Sequence, residues 1–176
     1  MKPIILLFIL ATTMQSATIF DFNKTSNVSI WKIVDDVVMG GRSSGKFHLD
    51  KEGNGIFKGR ISLESNSGFS SLRYRFNQTS TKQYSKIILK VKGDGETYQF
   101  RVKSKSSDYY SYIAYFNTTK DWETIELSLS DMYPAFRGRK LNKSNYDDES
   151  IEEIAFLIGN KKAEAFKLEI DSIVLK

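Results

Sequence analysis

The chain holds 176 residues, 40% hydrophobic and 13% aromatic, with no cysteine, one histidine and a net charge of +5 from 26 basic and 21 acidic side chains. The missing cysteines exclude thiolate nucleophiles, cysteine-ligated zinc, iron–sulfur clusters and disulfides, and one histidine excludes any site needing two imidazoles from a single chain. Carboxylate chemistry, a serine paired with lysine or histidine, or no chemistry at all remain; the mild, dispersed positive charge lacks the concentrated stripe that nucleic-acid binding demands, so no nucleic-acid partner is expected.

Met1 and Lys2 precede an apolar run at residues 4–11 (IILLFILA) and a polar stretch at 12–17. This is signal-peptide layout, too short to span a bilayer and without a stop-transfer flank. Cleavage after Ser16 or Ala17 is expected, leaving residues 18–176 as one domain with no membrane span. Its roughly 160 residues are enough to bury a core without disulfide or metal staples. Export without cysteine points to a secreted or periplasmic protein of bacterial type. Five N-x-S/T sequons, at Asn23, Asn27, Asn77, Asn117 and Asn142, are what chance supplies in a chain this rich in Asn, Ser and Thr.

Residues 31–45, WKIVDDVVMGGRSSG, are neither a good strand throughout nor a helix. Asp35 and Asp36 are adjacent, so on a strand they would face opposite ways and make a poor glycosidase pair. Gly40 and Gly41 call for a tight bend or a close backbone approach. Gly41-Arg42-Ser43-Ser44-Gly45 spells G-x-S-x-G, but a nucleophile elbow needs a strand–turn–helix setting and a distant histidine. Here a strand follows, and the only histidine, His48, stands five residues after Ser43 and reads as a surface or strand-edge residue.

Period-two alternation then dominates, as expected of half-buried strands. Phe57, Gly59, Ile61 and Leu63 share one face over residues 57–64, against Lys58, Arg60, Ser62 and Glu64. Leu72, Tyr74 and Phe76 point inward against Arg73 and Arg75; Ile87, Leu89 and Val91 against Lys86, Lys90 and Lys92; Tyr98, Phe100 and Val102 against Gln99, Arg101 and Lys103. Further inward sets are Ile125, Leu127 and Leu129; Ile154, Phe156 and Ile158; and Phe166, Leu168 and Ile170. Ile173 and Leu175 continue the last face one residue out of step, so a bulge is expected near Asp171 and Ser172. Gly53-Asn54-Gly55 and Gly93-Asp94-Gly95 read as hairpin turns. Residues 144–153 give at most a short turn, and eight or nine strands imply an all-β antiparallel sandwich or barrel in a single domain.

Two loops carry charge. Asp147, Asp148 and Glu149, near Glu152 and Glu153, lack the glycine-punctuated spacing of a calcium loop and read as a solvated acidic stretch, so no metal is expected. Arg137-Gly138-Arg139-Lys140, beside Tyr133 and Phe136, is a basic loop suited to phosphate, carboxylate or an acidic partner, or to local packing. Ser70 and Ser71, beside Phe69 and Arg73, form a second polar–aromatic segment.

WKIVDDVVMGGRSSG, followed by FKGRISLESNSGFSSLRYRF, GDGETYQFRVK, YIAYFNTTKDWETIELSLSDMYPAFRGRKL and AFKLEIDSIVL, resembles the complex I intermediate-associated protein 30 family from about Ile19 to Leu175. The family's N-N-G-G-F is Asn66-Ser67-Gly68-Phe69 after Ser65 here, and its G-P-F is Glu164-Ala165-Phe166. The resemblance implies a galactose-binding-like jelly-roll β-sandwich that acts by binding partners, as the mitochondrial complex I assembly factors of eukaryotes do. Motif positions carried over as binding residues are Asp35, Asp36, Met39, Gly40, Gly41, Phe69, Ser70, Arg73, Asp94, Tyr98, Arg137 and Arg139. A non-catalytic module without cofactor, recognising a protein partner in the envelope, is the expectation. A carbohydrate-binding module is the alternative, with Tyr109, Tyr110 and Trp122 as sugar-stacking aromatics.

Overall fold

The computed structural model describes residues 15–64, 68–147 and 149–176. The apolar run at residues 4–11, expected to direct export, Ser65, Asn66 and Ser67 of the family-pattern loop, and Asp148 of the acidic stretch lie outside them. Among the described residues thirteen strands, numbered in chain order, form two antiparallel sheets. The six-stranded sheet runs β3 (Ser44–Leu49), β4 (Gly55–Ile61), β13 (Glu164–Leu175), β6 (Lys86–Lys92) and β9 (Glu123–Ser128), with β1 (Ala17–Asp21) also paired to β13. The seven-stranded sheet runs β11 (Arg139–Lys140), β10 (Tyr133–Phe136), β8 (Ser111–Asn117), β7 (Thr97–Lys103), β12 (Ser150–Ile158), β5 (Ser70–Ser80) and β2 (Trp31–Asp35).

Alternation explains why the sheets meet where they do. Phe57, Ile87, Leu89, Val91, Phe166, Leu168 and Ile170 line the inner face of one sheet, and all are buried. Leu72, Tyr98, Phe100, Val102, Ile154, Phe156 and Ile158 answer them from the other. Each such aliphatic or aromatic side chain contributes about 1.5–3 kcal/mol on leaving water, which is why the sandwich stands without covalent staples. Phe20, Phe22, Trp31, Phe47, Tyr74 and Phe76 form an aromatic cluster at the β1–β2–β3 side, with Trp31 stacked on Tyr74 at 4.8 Å. Gly59 permits the β3–β4 pairing, because a Cβ there would run into the Ser44 carbonyl.

Several expectations are corrected. Gly93-Asp94-Gly95 is not a hairpin: it carries the chain from β6 in one sheet to β7 in the other, with Gly95 at φ 97°. Leu63 leaves the inward face, since β4 stops at Ile61 and Leu63 is 42% exposed. Leu129 is buried but lies in a short 3-10 turn that follows β9. The strand count rises from eight or nine because β1, β2, β10 and β11 hold only two to five residues, too few to show a clear period. The Gly53-Asn54-Gly55 hairpin joins β3 to β4 as expected, and the β13 register shifts between Ile170 and Ser172 where the bulge was placed. Among the described residues, no helix is long and apolar enough to cross a membrane.

Candidate functional site

The paired acids at the end of β2 are consumed by the fold. Asp35 accepts from the Ser70 hydroxyl at 2.6 Å and from Gly45 N–H at 2.9 Å, joining β2 and β5 to β3 of the opposite sheet. Asp36 opens a 3-10 turn, Asp36–Met39, that Gly40 terminates in the left-handed region at φ 84°. This reversal brings Ser43 back onto Asp36, whose carboxylate accepts from Ser43 N–H at 2.9 Å, the Ser43 hydroxyl at 2.6 Å and Phe69 N–H at 3.4 Å. Asp36 N–H donates to the Phe69 carbonyl, and Gly41 N–H to the Asp36 carbonyl. Asp36 and Ser70 have no exposed surface, and Ser43 is 2% exposed. A charge so buried persists only because donors surround it. The G-x-S-x-G serine is thereby a linker, its hydroxyl also accepting from Ser62 N–H at 3.0 Å, while His48 sits exposed on edge strand β3.

Asp94 makes a second lock. It accepts from the Tyr98 hydroxyl at 3.1 Å, Lys167 N–H at 2.6 Å and Glu96 N–H at 3.1 Å, so the β6–β7 crossover is held against β13. Burial, and then the Asp94 carboxylate, push the Tyr98 phenol far above its ordinary pKa.

Arg137 and Arg139 lie elsewhere. Arg137 (φ 48°) and Gly138 (φ 75°) form the two-residue turn between β10 and β11, with the Arg137 guanidinium 5.2 Å from the Phe136 ring. Tyr109 packs edge-on against Phe136 at 5.4 Å and against Tyr110 at 5.2 Å. Trp122 lies beyond the other end of β8, so Tyr109, Tyr110 and Trp122 form no single platform. Met39 is 55% exposed at the 3-10 turn, close in sequence to the carboxylates yet outside their hydrogen-bond set. Of the expected residues, Asp35, Asp36, Gly41, Phe69 and Ser70 converge, Asp94 meets Tyr98, and Arg73 stands apart on the outer face of the seven-stranded sheet.

That outer face is organised in cross-strand rows. One row is Lys32, Arg73, Ala155, Arg101, Ile113 and Tyr133, on β2, β5, β12, β7, β8 and β10. One pleat along come Val34, Ser71, Leu157, Gln99 and Tyr115. On the opposite flank Glu153 stands between Arg75 and Lys103. Arg101 donates through Nη2 and Nε to Gln99 Oε1 at 2.6 and 3.0 Å, and Gln99 Nε2 donates to the Tyr115 hydroxyl at 3.0 Å. Tyr115 and Tyr133 stand diagonally across adjacent strands β8 and β10 on this face, and Lys140 Nζ sits 5.1 Å from the Tyr133 ring. Ala155, Leu157 and Ile113 face outward yet are nearly covered by the longer side chains around them.

Charge balance differs between the rows. Glu153, buried, pairs with Arg75 at 2.5 Å. Neither Arg73 nor Arg101 has a carboxylate within ion-pairing distance among the described residues. Burial, and then Arg73, lower the Arg101 pKa to about 10, so it keeps its charge at neutral pH in a poorly solvated place. On the six-stranded sheet Lys46, Lys58 and Lys167 also stand side by side, but exposed and hydrated. Among the described residues no three acidic or imidazole side chains gather as a metal site.

Sequence reasoning placed Gln99 and Arg101 on outward positions but did not join them to Arg73, Tyr115 and Tyr133 as one surface. Alternation shows which way a side chain points; lateral register, which decides its neighbours, needs the strand order. The locks and the face make opposite demands on stability. Asp36→Ala strands buried donors on Ser43 and Phe69 and is expected to cost about 3 kcal/mol in chemical denaturation. The exposed Asp147→Ala should stay within about 0.5 kcal/mol of the parent chain.

Comparison with known proteins agrees with this architecture. The family-11 carbohydrate-binding module of a cellulosomal cellulase of Clostridium thermocellum superposes with a TM-score of 0.70 at 20% identity, covering 93% of this chain and 95% of the module. The same family's module in complex with a β-1,3-1,4-mixed-linked tetrasaccharide gives 0.67 at 19% identity, covering 93% of this chain and 96% of that one. These likenesses bear on the fold, a galactose-binding-like jelly roll. The mitochondrial complex I intermediate-associated protein 30 of Drosophila melanogaster is 22% identical over 92% of this chain and 63% of its own length. The Mus musculus protein of that name is 21% identical over 90% of this chain and 56% of its own. Residues 20–170 match the family as a whole, and the chain belongs to the complex I intermediate-associated protein 30 family.

Proposed function

We propose that the chain is a non-catalytic binding module that receives a glycan on the outer face of its seven-stranded sheet. It would act in the envelope or outside the cell, after removal of residues 1–17. The observation that carries the reading is the Arg101–Gln99–Tyr115 network beside Arg73, with Tyr133 next to it on the same face. Planar Arg and Gln groups present fixed donors and acceptors to sugar hydroxyls, and the 53% exposed Tyr115 offers a ring face for a pyranose to cover. The acids that would have served hydrolysis are occupied: Asp35, Asp36 and Asp94 spend their oxygens on backbone amides and hydroxyls.

A protein partner is the second reading, and family membership favours it, since the named relatives are complex I intermediate-associated proteins. The matched relatives extend well beyond the region shared with this chain.

Two measurements test the proposal. On a panel of neutral and acidic polysaccharides the chain should bind at least one, and Tyr115→Ala and Tyr133→Ala should each weaken that binding while leaving the melting temperature nearly unchanged. Binding that ignores both tyrosines but vanishes on changing Arg137 and Arg139 would move the site to the β10–β11 turn; a soluble protein captured in place of any glycan would favour the second reading. For export, sequencing the amino terminus of protein recovered from the host's envelope or medium should read from Ala17 or Thr18; an intact Met1 in the cytoplasm contradicts it.

A further inference from the structure

The rows of the outer face differ at one position. Where Arg75 and Lys103 flank β12, the intervening residue is Glu153, which pairs with Arg75, while the Lys103 ammonium donates to the Asp108 carbonyl. Where Arg73 and Arg101 flank the same strand two residues on, the intervening residue is Ala155. Adjacent strands lie about 4.8 Å apart, so the two arginine backbones stand about 10 Å apart across a methyl group. A carboxylate has room to stand between them, as Glu153 stands between Arg75 and Lys103 one row away, and none among the described residues does so.

We propose that the missing counter-charge is provided by the ligand, and that Arg73 and Arg101 clamp a sugar carboxylate of an acidic polysaccharide, a polyuronate, over Ala155. The proposal rests on the glycan reading above and names the ligand class.

Five features bear on it. Both guanidiniums are half-buried and like-charged, an arrangement that an anion relieves. Gln99 holds Arg101 through Nε and Nη2, which fixes the guanidinium plane and leaves Nη1 to meet a ligand. Arg73 makes one long contact, from Nε to the Ser71 hydroxyl at 3.5 Å, and its two terminal nitrogens have no acceptor among the described residues. Tyr115, on the same face one row over and joined to Arg101 through Gln99, lies where the pyranose ring bearing that carboxylate would rest. The floor of Ala155, Leu157 and Ile113 is small and apolar, which keeps water from bridging the two arginines and strengthens a charge-assisted pair. The exposed lysine row of the six-stranded sheet has none of this: Lys46 and Lys58 are open to water, and Lys167 is already paired to Glu169.

The test compares polygalacturonate with the same polymer methyl-esterified, a neutral mixed-linkage glucan and polyglutamate, using the whole chain. Polygalacturonate should bind, esterification should remove the binding, and added salt should weaken it. Arg73→Gln and Arg101→Gln should each weaken it on the order of 30-fold or more. Lys58→Ala, on the other sheet, should leave it intact. Ala155→Glu should supply the absent carboxylate from within the chain, abolishing binding while the melting temperature holds or rises.

Equal affinity for the esterified polymer, equal loss in Lys58→Ala, or undiminished binding by Ala155→Glu overturns the clamp. Polyglutamate binding as tightly as polygalacturonate also overturns it and points to an acidic protein. If only the neutral glucan binds, and through Tyr115 and Tyr133, the glycan reading stands and the clamp falls; if no glycan binds, both fall.

Discussion

The sandwich depends on two carboxylates with no room to do anything else. Asp35 ends β2, the edge strand of the seven-stranded sheet, and Asp36 opens the turn that follows, beside β3, the edge strand of the other. Their oxygens reach Ser70 in the first sheet and Gly45 at the start of β3, together with Ser43 and Phe69 in the flanking segments. Apolar faces alone would press the sheets together without fixing their relative position, since burial is not directional. Short charge-assisted bonds to backbone amides are directional, and they pin that side of the sandwich. Asp94 does the same for the β6–β7 crossover through Tyr98 and Lys167.

A frame fixed at its edge and crossover leaves the outer sheet faces free to differ. The six-stranded sheet carries hydrated lysines, of which Lys167 is paired to Glu169 and Lys86 to Glu126. The seven-stranded sheet carries arginines, glutamine and tyrosines on a covered apolar floor. Half-buried Arg101, held by Gln99, pays for its position unless an anion arrives. That contrast in solvation, more than the number of charges, separates a recognition surface from a soluble one.

Much of the frame was legible in the sequence. The inward sets on β5, β6, β7 and β12 follow from alternation, and the β13 bulge follows from a phase slip between Ile170 and Ile173. Gly93-Asp94-Gly95 misled because the same glycine chemistry suits a hairpin and a crossover, and only the pairing of β6 with β9 and β13 distinguishes them. The family motif pointed to Asp36 and Asp94, where substitution would be felt most, but motif residues that hold a fold together look the same in sequence as residues that hold a ligand. Arg73 was reached through the motif, whereas its partner Arg101 was not, because their relation crosses β12 and exists only in the lateral register.

The central claim is that the ligand lies on the outer face of the seven-stranded sheet, between Arg73 and Arg101. Titrating isotope-labelled protein with a short oligogalacturonate, and following the arginine Nε–H and tyrosine ring resonances, tests it at the atoms concerned. The account predicts saturable shifts of Arg73, Arg101 and Tyr115, with Arg60 on the opposite sheet and Arg137 at the β10–β11 turn unmoved. Shifts gathered at Arg137 and Arg139, or spread evenly over every arginine, would contradict it.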